Sequence, residues 1–147
     1  MKTSIRSALA IAALLMVARP ALALDLQSLF GHSEPQNFTL IHVQDLDRLM
    51  KNANAHLHIF DVNPVDVRES TGSIPGAILL PSWKYDVAQE LPPDKNSKLV
   101  FYCRNTQCMA SHEAASRALS AGYNDVSVMA DGIEGWKNAG MRTNPVN

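Results

Sequence analysis

The chain has 147 residues, with 13 Lys or Arg, 14 Asp or Glu, and a formal net charge of −1 at pH 7. A near-neutral chain without a basic block is not typical of proteins whose main partner is nucleic acid. Its length suits a single domain.

The first 23 residues have the three parts of a secretory signal peptide. Lys2 and Arg6 precede an apolar run, Ala8–Ala18, and a small-residue cleavage site of the form Ala-x-Ala follows at Ala21–Ala23. We predict cleavage after Ala23, which gives a periplasmic or secreted protein without membrane association. The apolar run of 11 residues is too short to cross a bilayer as a helix. An uncleaved anchor or a buried helix is the alternative.

Cleavage would leave 124 residues, with ten basic and 14 acidic side chains. Residues 24–37 contain Gly, Ser and Pro with little periodicity, so we interpret them as a linker or flexible arm. From Phe38 onward, strand and helix patterns alternate. The predicted strands are Phe38–His42, Leu57–Val62, Ala77–Leu80, Lys98–Tyr102 and Val126–Met129. The predicted helices are Val43–Asn52, Val65–Ser70, a short one between Pro81 and Pro92, Ala110–Leu119 closed by Gly122, and Ile133–Ala139.

This alternation predicts an α/β fold with a central, mostly parallel sheet and helices on both faces. Functional sites in such sheets lie at the carboxyl ends of the strands. Cys103 stands at such an end, because it follows the predicted strand Lys98–Tyr102 and precedes a polar loop and an Ala-rich helix. Amides at a helix N-terminus favour the thiolate, which is the reactive form. The alternative is a buried, inert cysteine.

The chain has only two cysteines, Cys103 and Cys108. An exported protein meets oxidising conditions, so a disulfide is a natural interpretation. The loop between them is short, however, and a bond across it would constrain the unfolded chain relatively little. We therefore interpret the two cysteines first as reactive thiols and only second as a structural disulfide.

Four motifs together are similar to those of a single rhodanese (sulfurtransferase) domain, and they place that domain at residues 38–147. The resemblance extends to an exported subgroup whose active-site loop carries two cysteines. The motifs are the strand end Phe60–Val62, the turn Ser73–Ala77, the loop that begins at Tyr102-Cys103, and the segment Asp131–Trp136.

The resemblance implies that Cys103 accepts sulfur and forms a persulfide, which is covalent catalysis in two displacements. The donor would be a small molecule such as thiosulfate, and the acceptor a thiol, cyanide or a protein. We expect no metal and no cofactor. Backbone amides of the loop would surround the sulfur anion. The implied substrate-binding residues are Arg104, Asn105, Thr106, Gln107, Cys108 and Met109.

The sequence departs from the family pattern at three places. Asn63 stands where the first motif often has Arg, and Ser73 stands where the turn usually has His. Cys108 and Met109 stand where the loop commonly closes with Arg and Ser. The usual anion-binding Arg is therefore missing. Arg104, or Arg68 from elsewhere in the chain, is a candidate to replace it, although Arg104 is equally well interpreted as a solvated loop charge.

Cys108 has three interpretations. It is a small replacement for the family Arg, a resolving thiol that forms a disulfide with Cys103, or a metal ligand with Cys103 and His112. Accordingly, two functions compete with sulfur transfer, namely a thiol–disulfide redox protein and a non-catalytic module that carries or senses sulfur. His112 more simply caps a helix or faces solvent than acts as a proton partner. Asp61 more simply binds backbone than acts in catalysis, and Trp136 is a packing anchor.

Overall fold

The computed structural model describes residues 38–52 and 56–146. These residues belong to one compact unit, Pro35–Asn147. The predicted signal peptide and linker lie outside the described residues. Within the described part of the chain, no helix is long and apolar enough to span a membrane.

Five parallel strands form one sheet in the order β1-β5-β4-β2-β3. The strands are β1 Thr39–Ile41, β2 Leu57–Asp61, β3 Ile78–Leu79, β4 Lys98–Tyr102 and β5 Asp125–Met129. The helices are α1 Val43–Lys51, α2 Val65–Thr71, α3 Val87–Glu90, α4 Ala110–Ser120 and α5 Gly132–Asn138. Strand β4 is central, so the chain that leaves its carboxyl end is flanked by the ends of β2 and β5.

Alternate residues of the strands enter two separate apolar layers. On one face, Phe60 and Phe101 pack with the alanines of α4. On the other, Ile59, Val100 and Met129 pack with residues of α1, α2 and α5. Side chains alternate across a strand, so a sheet covered on both faces needs apolar residues at successive positions. The predicted α/β architecture with helices on both faces is confirmed.

The end of α4 follows the predicted glycine stop. Gly122 has φ of +89°, a region that residues with a Cβ rarely adopt. Its N–H donates to the Leu119 carbonyl at 2.9 Å, and the Tyr123 N–H donates to the Ala118 carbonyl at 3.2 Å. This is the Schellman arrangement, in which the last carbonyls of a helix are satisfied. It returns the chain to the sheet at β5.

The predicted boundaries differ most at the sheet edge. Strand β3 has only two residues, Ile78 and Leu79, where four were predicted. It pairs with β2 alone, through Phe60 and Asp61. An edge strand receives ladder hydrogen bonds from one neighbour, and the length of that pairing is not a property of its own sequence.

Candidate active site

Cys103 lies where the sequence placed it, directly after the central strand. Only 1% of its surface is exposed, and it packs in the same apolar layer as Val62, Phe101 and Ala114. A disulfide joins it to Cys108, whose side chain is partly buried, with 6.3 Å between the two Cα atoms. The bond closes the loop and pairs the predicted nucleophile with the candidate resolving thiol.

A serine that sequence reasoning missed contacts the Cys103 sulfur. The Ser111 Oγ lies 3.3 Å from Cys103 Sγ, and since a disulfide sulfur carries no hydrogen, the hydroxyl is the donor. Ser111 is itself buried in the first turn of α4. The carbonyl oxygen of Cys108 also lies close, at 3.2 Å. The sequence signal that could have identified Ser111 is a hydroxyl residue in the first helical turn after the cysteine loop.

The predicted cradle of amides does not surround the sulfur in this oxidised loop. The N–H of Cys108 donates to the Asn105 carbonyl at 3.0 Å, and the N–H of Gln107 donates to the Asn105 side-chain oxygen at 3.1 Å. Among the described residues, no loop amide donates to Cys103 Sγ. The cradle stays a prediction for the reduced loop. Thr106, Gln107 and the Met109 side chain are exposed at the loop surface.

The beginning of α5 holds the loop from the other side. The Ile133 N–H donates to the Cys103 carbonyl at 2.8 Å, and the Glu134 N–H donates to the Arg104 carbonyl at 3.0 Å. These bonds satisfy amides that a helix N-terminus otherwise leaves without a partner. Gly132, with φ of +66°, lets the two backbones meet, since a Cβ there would lie 2.5 Å from the Asn105 nitrogen and closer still to the Arg104 carbonyl group.

Arg104 and Asn105 both bind the carboxylate of Glu134. The Arg104 Nε donates to Glu134 Oε1 at 2.6 Å, and the Asn105 side-chain amide donates to Oε2 at 2.9 Å. The Asn105 amide, and then the Arg104 guanidinium, lower the pKa of Glu134. The positive charge of Arg104 is therefore paired within the protein. This role of Glu134 was not predicted from the sequence.

Arg68, one of the two candidates to replace the missing anion-binding arginine, is occupied by other groups of the protein in this structure. Arg68 is only 6% exposed. Its Nε donates to Asp61 Oδ1 at 3.3 Å, and its Nη2 donates to the carbonyls of Asp61 and Leu80 at 2.7 and 2.6 Å. These bonds tie the ends of β2 and β3 together, so the guanidinium is committed to the protein backbone.

Asp61 is the centre of this buried polar network. Its Oδ2 accepts from the Tyr102 hydroxyl at 2.6 Å, and that hydroxyl accepts from the Ile74 N–H at 3.0 Å. Its Oδ1 also accepts from the Asn63 N–H at 2.8 Å. Burial, and then the charge of Asp61, raise the pKa of Tyr102 well above its usual value. The backbone-binding interpretation of Asp61 holds for the Asn63 N–H, and the other two partners of the carboxylate, Tyr102 and Arg68, are side chains.

The contacts described for three further residues do not include the Cys103 sulfur. The His112 ring packs edge-on against Phe38, with 5.4 Å between the centroids, and its Nδ1 has no partner among the described residues. The Trp136 Nε1 donates to the Arg142 carbonyl at 2.9 Å while its ring packs in the core. The buried side-chain amide of Asn63 likewise has no described partner.

Within residues 38–52 and 56–146, no group of three His, Cys, Asp or Glu side chains is placed to hold a metal ion.

Solved structures with the same fold are numerous. The BH2092 protein from Bacillus halodurans is 20% identical, with 82% of this chain and 87% of that chain covered and a TM-score of 0.65. The rhodanese-like domain of the Alr3790 protein from Anabaena is also 20% identical, covering 73% and 79%, with a TM-score of 0.56. The polysulfide-sulfur transferase of Wolinella succinogenes is 15% identical, covering 75% and 80%, with a TM-score of 0.62.

The TM-scores show a shared fold, and at these low identities they show the fold alone. No curated protein matches the chain in sequence. The model of the Rhodanese-like domain family, in contrast, matches residues 42–139, two thirds of the chain. That match spans the four motifs, the strands β2 to β5 and the cysteine loop held between α4 and α5, and the chain therefore belongs to the rhodanese-like domain family.

Proposed function

We propose that the chain is an exported sulfurtransferase that moves sulfane sulfur from a donor such as thiosulfate to a thiophilic acceptor through a persulfide on Cys103. The position of Cys103 carries the proposal, since its sulfur lies at the carboxyl end of the central strand and against the first turn of α4. A solved relative by fold is named as a polysulfide-sulfur transferase. Family membership supports sulfur transfer in general, and the donor is our inference.

The transfer has two displacements once the disulfide has been reduced. The Cys103 thiolate attacks the outer sulfur of thiosulfate, and the S–S bond of the donor breaks with its electron pair leaving on sulfite. An acceptor thiolate or cyanide then attacks the outer sulfur of the persulfide, and the thiolate of Cys103 leaves. The Ser111 hydroxyl, at 3.3 Å, is a donor to this sulfur in both steps. The N-terminus of α4 adds its positive end.

The predicted signal peptide supports an extracytoplasmic location, where disulfides persist. The partners in this proposal are a small-molecule sulfur donor and either a small thiophile or a protein thiol. Nucleic acid has no part in it.

Turnover of thiosulfate and cyanide by the reduced chain tests the proposal. We expect Cys103→Ser to abolish thiocyanate formation, and Cys108→Ser to retain much of it because the attacking sulfur is still present. Circular dichroism of both variants controls for folding. Full turnover by Cys103→Ser would overturn the proposal.

A second function is favoured by one specific observation, the disulfide between Cys103 and Cys108. In a thiol–disulfide redox protein, this bond would open and close during turnover. Intact mass would then show a reversible change of two hydrogens, absent from either single Cys→Ser variant. Two thiols that stay free under a mild oxidant would exclude this function.

A further inference from the structure

We infer that Cys108 discharges the Cys103 persulfide, so that the chain reduces sulfane sulfur to hydrosulfide at the expense of an external dithiol. This inference rests on the proposed function, because it begins from the persulfide. In this inference, Cys108 determines that the outer sulfur is released as hydrosulfide and not transferred to an external acceptor. The loop then performs sulfur transfer and disulfide chemistry as steps of one cycle.

The disulfide identifies the atom that Cys108 reaches. A persulfide has two sulfurs, and an acceptor that takes the outer one carries it away. Attack on the inner one, Cys103 Sγ, instead releases the outer sulfur as hydrosulfide. The bond in this structure joins Cys108 Sγ to Cys103 Sγ. The loop therefore brings Cys108 to the sulfur whose attack releases hydrosulfide.

Proximity favours the internal thiol over an external one at that atom. Cys108 is five residues away in the same loop and needs no encounter from solution. Intramolecular attack at the right geometry gains orders of magnitude in effective concentration.

The discharging step balances without a further reagent. The Cys108 thiolate attacks Cys103 Sγ, a new S–S bond forms between the two cysteines, and the bond to the outer sulfur breaks. The outer sulfur leaves with the electron pair and, with a proton from solvent, becomes hydrosulfide. Two cysteine thiols have been oxidised to a disulfide, and one sulfane sulfur has been reduced to sulfide.

Exposure sets the direction in which the disulfide is reopened. Cys108 is partly exposed, so the thiolate of an external dithiol attacks Cys108 Sγ, and Cys103 leaves as the thiolate. The Ser111 hydroxyl donates to that leaving sulfur. The second thiol of the dithiol then releases Cys108 and closes the dithiol's own disulfide. Over the whole cycle, thiosulfate and a dithiol become sulfite, hydrosulfide and a disulfide.

A single-turnover experiment tests the inference. The full chain is reduced, freed of reductant under anaerobic conditions and mixed with one equivalent of thiosulfate. Sulfite, hydrosulfide and intact mass are then measured. We expect equal amounts of sulfite and hydrosulfide, and a protein lighter than the dithiol form by two hydrogens. The rate of hydrosulfide release should not depend on protein concentration, because the step is intramolecular.

Cys108→Ser is the diagnostic variant. It should release sulfite once, release no hydrosulfide, and gain the mass of one sulfur atom on Cys103. If this variant does not fold, the wild-type stoichiometry decides alone. Wild-type chain that releases sulfite but keeps the sulfur atom until an external thiol is added overturns the inference and leaves the proposed function standing. Absence of sulfite overturns the proposed function, and the inference with it.

Discussion

Gly132→Ala should lower the stability of the protein through two effects at the point where α5 meets the active-site loop. The first cost is conformational, because φ of +66° is unfavourable for a residue with a Cβ by about 1 kcal/mol. The second is steric, because the new methyl group would lie 2.5 Å from the Asn105 backbone nitrogen. Backbone cannot turn aside as a side chain does. Overpacking of this kind costs about 1–3 kcal/mol.

Gly140→Ala is the matched control. Its φ of +76° imposes the same conformational cost, but an added Cβ meets nothing within 4 Å. The loss of unfolded-chain entropy on replacing Gly by Ala is common to both variants and cancels in their comparison. We therefore expect Gly132→Ala to lower the free energy of unfolding by about 1–3 kcal/mol more than Gly140→Ala does.

Urea unfolding followed by circular dichroism measures this difference. For a domain of this size, m is about 1–3 kcal/mol/M, so the two midpoints should lie about 1 M apart. The displaced loop should also slow sulfite release from thiosulfate in Gly132→Ala but not in Gly140→Ala. Equal losses of stability in the two variants would refute the steric reasoning and leave only the conformational cost.

Three other predictions concern charges and protons near the loop. Arg68→Met leaves the Asp61 carboxylate buried without its cation and should lower the free energy of unfolding, measured in urea, by about 3–5 kcal/mol. Arg48→Met is the control, because its ion pair is exposed, and it should lower the free energy of unfolding far less. Similar losses in the two variants would contradict this prediction. Because burial, and then the neighbouring carboxylate, raise the pKa of Tyr102, the unfolded chain releases a proton above about pH 10 that the folded chain keeps, so stability falls as pH rises. Tyr102→Phe should make this alkaline slope shallower by about 1.4 kcal/mol per pH unit in urea unfolding, and an unaltered slope would argue against it. Glu134→Gln keeps the shape of the side chain but removes the negative charge beside the loop, so sulfite release from the thiosulfate dianion should accelerate about two- to fivefold at low salt and lose that advantage at high salt; no acceleration at low salt would exclude an electrostatic role.

Local sequence patterns determined most of the framework. The alternation of strand and helix patterns predicted the parallel sheet, and Gly122 marked the end of α4. The strand Lys98–Tyr102 placed Cys103 at a carboxyl end, which the structure confirms. These features depend on periodicity and on single residues with special backbone freedom, and both are visible within a few positions of the chain.

The residues that surround the Cys103 sulfur could be identified only from the tertiary structure. Arg104 and Glu134 are 30 residues apart, and only the packing of α5 on the loop pairs them. Arg68 was a candidate anion-binding residue because of its charge. In the folded protein it is buried against Asp61, and its N–H groups donate to backbone carbonyl groups.

The chain's local residue pattern thus decided which cysteine ends the central strand and which helix follows it. The tertiary structure decided that its neighbours are the Ser111 hydroxyl and the Cys108 sulfur, and that its loop is held by Glu134. The physical reason is that helices and strands follow from interactions between near neighbours in sequence. The environment of a reactive atom is set instead by backbones that meet only after the sheet has assembled.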